Sequence, residues 1–129
     1  MARVLVIEDD PENLDFLLYL LTALGHTAYP ARNGVDGLIR AALENPDLIL
    51  CDINLPLLDG YGVVRQLKAN TTLRRVPLIA VTALAMLGDR EMVLSRDFDG
   101  YLAKPVDPET FGERVEEWLA LRTGDQEAE

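Results

Sequence analysis

The stretch VLVIEDDPENLDFLLYL, from Val4 to Leu20, runs four aliphatic residues into three consecutive acids, Glu8, Asp9 and Asp10, and then into a leucine-rich segment. Val4–Ile7 shows no polar alternation, the pattern of a strand covered on both faces. The segment after it has helical period, with Leu14, Leu17, Leu18, Leu21 and Leu24 forming one apolar face. Three carboxylates crowded at the mouth of a core strand repel one another. Something positive is expected to gather there.

Outward from this stretch the same alternation repeats. Val4–Ile7, Thr27–Ala31, Leu48–Cys51, Leu78–Val81 and Gly100–Ala103 read as strands. Glu12–Leu24, Val35–Glu44, Tyr61–Lys68, Gly88–Ser95 and Glu109–Leu121 read as helices. Five strand–helix units predict an α/β fold, a parallel sheet with helices on both faces. The punctuation agrees: Asp10 suits an N-cap with Pro11 in the first turn, Gly25 marks a helix end, and Pro108 opens the last helix. Pro30 cannot donate to a strand ladder, which places the second strand at an edge. That is its place in the flavodoxin-like doubly wound order 2-1-3-4-5. Residues 1–122 are expected to form one domain, and residues 123–129 a polar, acidic, disordered tail. With a strand starting almost at once, no upstream domain is expected.

The balance of 12 Lys+Arg against 22 Asp+Glu gives a formal charge of −10, which argues against nucleic acid and anionic membranes as partners. No apolar run is long enough to span a bilayer. Cys51 is the single cysteine, which excludes an intramolecular disulfide and fits a cytoplasmic setting. It reads as a small buried apolar residue rather than a nucleophile.

In a doubly wound sheet, ligands bind beyond the carboxyl ends of the strands. Glu8, Asp9 and Asp10 follow the first strand, Asp52 and Asn54 the third, Thr82 the fourth, and Lys104 and Pro105 the fifth. Glu8, Asp9 and Asp52 would form a set of hard oxygen ligands suited to Mg²⁺. With Lys104 and the Thr82 hydroxyl added, the set suits a phosphoryl group, and Asp52 could act as nucleophile to give an acyl phosphate. Asp10 alone reads as a helix cap, and Lys104, Thr82 and Tyr101 alone read as ordinary surface or strand residues. Position beside Asp52 and Lys104 reverses that reading for Thr82, while Asp10 stays a cap.

The segments VIEDDP, DLILCDINLPLLDG, VPLIAVTALA and GYLAKPV, in this order and spacing, resemble the receiver domain of bacterial two-component response regulators, as in chemotaxis receivers. The resemblance spans Arg3 to about Leu121. It implies that Asp52 is the phosphoacceptor, that Asp9, Asp52 and the Asn54 backbone carbonyl ligate Mg²⁺ or Mn²⁺, and that Glu8 acts through a metal-bound water. It further implies that Thr82 is a switch hydroxyl, that Tyr101 changes rotamer with it, that Lys104 contacts the phosphate, and that the Lys104–Pro105 peptide is cis. A histidine kinase or histidine phosphotransfer protein would be the phosphoryl donor, and a separate downstream protein the output. No separate substrate would be turned over. VTALAMLGDRE is also similar to receivers of hybrid kinases and of single-domain cell-cycle regulators. One departure is Asp97, where most receivers carry glycine after the fourth helix.

Readings of other classes compete. A haloacid-dehalogenase-type phosphatase shares the strand-end Asp, the metal, a Thr and a Lys, but needs a second Asp where Asn54 stands. A flavodoxin-like FMN carrier needs a hydroxyl-rich anion loop, where this chain has three carboxylates. A pseudo-receiver that binds without being phosphorylated would lack site residues that are present here. His26, in a helix–strand turn, supports neither a ligand nor a relay role. On the first helix, Phe16, Leu20 and Ala23 with Tyr19 add a second apolar stripe. Either the fifth helix covers it through Trp118 and Leu119, or it docks a four-helix bundle, with Leu55, Leu57, Leu58, Leu84, Met86 and Leu87 as an apolar rim.

Overall fold

The computed structural model describes residues 2–83 and 89–127. The elements alternate from first to last: β1 (Arg3–Ile7), α1 (Pro11–Ala23), β2 (Thr27–Ala31), α2 (Gly34–Glu44), β3 (Leu48–Asp52), α3 (Gly60–Ala69), β4 (Leu78–Thr82), α4 (Asp89–Ser95), β5 (Gly100–Ala103) and α5 (Pro108–Glu127). The five strands are parallel in the order β2-β1-β3-β4-β5. Edge strand β2 carries Pro30, whose missing N–H points where no further strand pairs.

Strand alternation divides the core in two. Val4 and Val6 point to one face, where they meet Leu14, Leu17 and Leu21 of α1 and Phe111, Val115 and Trp118 of α5. Leu5 and Ile7 point to the other, against Ala41 of α2, Val63, Val64 and Leu67 of α3, and Val93 of α4. Each fully buried aliphatic side chain of this kind contributes roughly 1.5–3 kcal/mol. The unbroken apolar runs of β1 and β3 follow from this double cover.

The local signals act as expected. The Asp10 side chain accepts the Glu12 N–H at 3.1 Å, with Pro11 at the first helical position. Asp107 accepts the Glu109 N–H at 2.9 Å in the same way. Gly25, after the α1 cap residue Leu24, has φ of +90°. Some boundaries move. β3 and β4 each extend by one residue, to Asp52 and Thr82, because ladder pairing depends on the backbone and not on side-chain polarity. α5 runs past Leu121 to Glu127, and α4 is described from Asp89, Gly88 lying outside the described residues. Leu24 is not a core residue: it falls at the C-cap, beyond the last turn of α1, and is 47% exposed.

Candidate functional site

Four strand ends deliver the site. Glu8 follows β1 directly, and its backbone N–H donates to the Ala31 carbonyl, which ties the acidic turn to β2. Asp52 closes β3 beside Val81 of β4, and Thr82 pairs with Ala103 of β5. The Lys104 N–H donates to the Thr82 carbonyl at 2.9 Å, and the Lys104–Pro105 peptide is cis. Glu8, Asp52 and Thr82 are buried, whereas Asp9 is exposed at the rim.

Carboxylate oxygens of Glu8, Asp9 and Asp52 all lie within 4.8 Å of one another. The Lys104 ammonium stands 3.0 Å from Asp52 Oδ2 and 2.7 Å from Glu8 Oε1. Glu8 Oε1 is otherwise buried without a directed hydrogen bond. Glu8 Oε2 accepts the Asp10 N–H at 3.2 Å, and Asp52 Oδ1 accepts the Asn54 N–H at 3.2 Å. The Glu8 carboxyl is raised to about 7: burial pushes it up, Lys104 pulls it down, the neighbouring Asp52 pushes it up again, and the Asp10 N–H lowers it slightly. For Lys104, burial works against the ammonium, but its bonds to Glu8 and Asp52 prevail and hold its pKa above the ordinary value. The positive partner required by the opening acids is therefore, in part, Lys104. One ammonium against three carboxylates leaves the cluster net negative. Its all-oxygen donor set fits a hard divalent cation.

Contacts beyond the strand ends fix the cluster's neighbours, first in the segment that follows β3. Asp59 caps α3 by accepting the Gly62 N–H at 2.9 Å, and the Gly60 N–H donates to the Ile53 carbonyl at 2.8 Å. A Cβ on Gly60 would lie 2.6 Å from the Asp52 carbonyl oxygen and 2.7 Å from Ile53 Cα, so only glycine lets α3 begin so close to the end of β3. On β5, Arg114 of α5 donates to the Tyr101 carbonyl at 2.9 Å while stacking over the Trp118 ring. Gly60 and Arg114 lack a chemical signature as site residues. The Asp-Gly pair at a helix start is the only hint of the first.

Thr82 lies on the alternation that carries Leu78 and Ala80 toward α3 and α4, and Tyr101 packs on the same core face. His26 stays away from the cluster: its Nδ1 accepts the Ala2 N–H at 3.1 Å and its Nε2 lies 3.7 Å from Glu116. Cys51 is fully buried, and burial raises its thiol pKa, as suits a packing residue. The second stripe of α1 is half covered. Leu20 and Leu119 pack against the core around buried Trp118, while Phe16, Tyr19 and Ala23 remain exposed. Of the expected apolar rim, Leu55 is buried, Leu58 half-buried and Leu57 80% exposed. Leu84, Met86 and Leu87 lie outside the described residues.

A parallel five-stranded sheet with an acid cluster and a lysine at its carboxyl end defines a class, and comparison with known families agrees. The response regulator receiver domain model matches residues 4–116, and the chain belongs to this family of two-component signalling domains. Among its relatives, the polar-differentiation response regulator DivK of Brucella anthropi is 38% identical over 116 residues, covering 90% of this chain and 94% of that protein. The receiver domain of the sensor histidine kinase PA1611 from Pseudomonas aeruginosa, solved with magnesium coordinated in its active-site cleft, superposes with a TM-score of 0.85 at 35% identity, over 92% of this chain and 98% of that one. The chemotaxis response regulator CheY4 of Vibrio cholerae shares the fold, with a TM-score of 0.85 at 23% identity over 92% and 98% of the two chains.

Proposed function

We propose that Asp52 is the phosphoacceptor of this receiver, taking a phosphoryl group from a phosphohistidine of a histidine kinase or phosphotransfer protein. An Asp52 carboxylate oxygen would form the new bond to phosphorus as the bond to the imidazole nitrogen breaks, with the electron pair returning to the ring. The observation that carries this reading is the setting of Asp52: a buried strand-end carboxylate 3.0 Å from the Lys104 ammonium and grouped with two further acids. Asp9, Asp52 and the Asn54 carbonyl would hold Mg²⁺ or Mn²⁺, with Glu8 reaching it through water; bound there, the ion supplies positive charge against the phosphoryl oxygens. Lys104 would leave Asp52 for a phosphoryl oxygen. Glu8 would lose part of its partner at the same moment and retain the Asp10 N–H.

Loss of that lysine contact is the signal in this scheme. Thr82 would move toward the phosphoryl group and Tyr101 would follow, shifting a two-state equilibrium at the surface formed by α4, β5 and α5. A separate downstream protein would read that surface, in the cytoplasm. The donor would dock on exposed Phe16, Tyr19 and Ala23 of α1. Beside this stripe a notch of about 220 Å³, bounded by Asn13, Phe16, Lys104, Pro105 and Val106, leads toward the cluster. No nucleic acid or membrane partner is proposed, and no helix among the described residues is long and apolar enough to cross a membrane.

Intact-mass spectrometry after incubation with acetyl phosphate and Mg²⁺ tests the assignment. One phosphoryl adduct is expected on the wild type, none on Asp52→Asn, and none after chelation. If the small donor gives no adduct, a phosphorylated histidine kinase is used in its place. An adduct that persists in Asp52→Asn, or its absence with both donors, would overturn the proposal.

A further inference from the structure

α2 is built inside out. Its fully buried positions are Gly34, Gly37 and Ala41 and half-buried Leu38 packs beside them, whereas Val35, Ile39 and Leu43 are 43%, 54% and 69% exposed. Spaced at i, i+4 and i+8, these three share one face along the whole helix. Scattered exposed aliphatics are ordinary on protein surfaces, but a continuous stripe on a helix with glycines inside is not. The helix cannot rotate to hide them. A Cβ on Gly37 would already lie 2.5 Å from Ile7 Cδ1, and one on Gly34 would run into the Leu58 carbonyl.

Charges beside the stripe alternate at the same spacing: Arg32, Asp36, Arg40 and Glu44. Arg32, Asp36, Ile39 and Arg40 together line a groove of about 450 Å³ between α1 and α2, so the charges flank the stripe on one side. The Asn33 amide is bonded to Asp36 at 3.1 Å, and Arg40 is paired with Glu44 at 3.0 Å, which orients the row. A row of alternating sign is complementary to its own reverse. Two copies of α2 laid antiparallel about Ile39 bring Val35 opposite Leu43 of the second copy and Ile39 opposite itself. The same two-fold operation leaves Asp36 and Arg40 of the second copy, and Glu44 and Arg32 just ahead of the helix, two residues out of direct opposition, about 3 Å along the axis and within reach of the long arginine side chains, in both directions.

We propose that this face of α2 is a two-fold self-association surface, its occupant a second copy of this chain. The net charge of −10 opposes association in general, but the row itself carries two arginines against two acids and adds no repulsion. α2 covers the β1–β2 end of the sheet, remote from β5, so the pairing leaves β5 and α5 clear. One helix face falls well short of the roughly 800 Å² per partner of a stable interface, so the dimer is weak and concentration-dependent.

Cysteine cross-linking reads the geometry directly, because Cys51 is the only native cysteine and is buried. Ile39→Cys stands on the two-fold axis and is expected to oxidise to a disulfide dimer several-fold faster than Met92→Cys, a comparably exposed position on α4. Equal rates would overturn the proposal. Sedimentation velocity from ~20 μM to ~1 mM is expected to show a monomer shifting toward dimer. Ile39→Asp should abolish the shift without unfolding the protein, since the side chain is half exposed. Asp36→Arg and Arg40→Asp should each weaken it, and the two together should restore it. A monomer at the top concentration, a shift that survives Ile39→Asp, or a double variant no better than the single ones would refute the two-fold pairing.

Discussion

Lys104 and Glu8 set the electrostatics of this receiver at the level of single residues. The folded Glu8 holds a proton up to about pH 7, whereas an ordinary carboxyl releases it near 4.5. Between those values the cation-free native state binds more protons than the unfolded chain, so stability falls as pH rises through the window. The loss amounts to about 2–3 kcal/mol for a shift of this size. Urea denaturation at pH 5 and pH 8 in chelator should show it in the wild type, and Glu8→Gln should remove most of the slope. An equal slope in the variant would assign the effect to other groups. Lys104→Ala takes the counter-charge from two buried carboxylates and should cost about 1–3 kcal/mol at pH 8. The cost should shrink at pH 5, where Glu8 is protonated. The same variant should bind Mg²⁺ nearly as well in calorimetry yet accumulate less phosphoryl adduct; lost Mg²⁺ binding would misplace the lysine's role. Residue identities at the site were legible because charge at a strand end is an exception to burial. Their pairing was not: that Lys104 bridges Glu8 and Asp52 across strands β1, β3 and β5 depends on where the strand ends stop.

Elements succeeded where local chemistry governs them. Caps at Asp10 and Asp107 and the turn at Gly25 are short-range devices, and each is written in two or three adjacent residues. Asp97, after α4, has φ of +75°, the left-handed conformation expected from the glycine usual at this place in the family. An L side chain is strained there, so Asp97→Gly should stabilise the fold by up to about 1 kcal/mol. Thermal melting should register a rise of about 2–4 °C; an unchanged or lower Tm would mean that the Asp side chain offsets its own strain. Faces were harder to read than boundaries. Leu24 and Leu55 exchange their expected environments because each lies outside a regular element, where helical or strand period no longer dictates direction. α2 shows the limit most clearly. A helix containing Val35, Leu38, Ile39 and Leu43 suggests an aliphatic inner face, but of these only Leu38 packs against the core, because the close approach to Ile7 leaves room for glycine alone at position 37.

At the scale of the whole molecule, an acid cluster able to hold a cation would couple cation binding to folding. A cation that binds only the native state stabilises it by RT ln(1 + [L]/Kd), about 2.7 kcal/mol at a hundredfold excess over Kd. Mg²⁺ should therefore raise the melting temperature by several degrees relative to NaCl at equal ionic strength. Asp9→Ala should melt no lower than the wild type without Mg²⁺, since it relieves repulsion among Glu8, Asp9 and Asp52, and should lose most of the Mg²⁺ response. A full response in Asp9→Ala would count against that residue as a ligand. The order β2-β1-β3-β4-β5 makes this coupling possible, because it brings the ends of β1, β3, β4 and β5 side by side although up to 96 positions separate Glu8 from Lys104.

From residue order alone come the alternation of strand and helix, the edge position of β2, the helix caps, and the set of side chains that meet at the sheet's carboxyl end. These depend on periodicity, on backbone chemistry and on the rule that parallel strands converge their ends. Tertiary structure alone decided which carboxylate Lys104 touches, how far burial lifts Glu8, why Gly60 must be glycine, and which face of α2 meets water. Each of these depends on distances of a few ångströms between segments far apart in the chain, which no local pattern encodes.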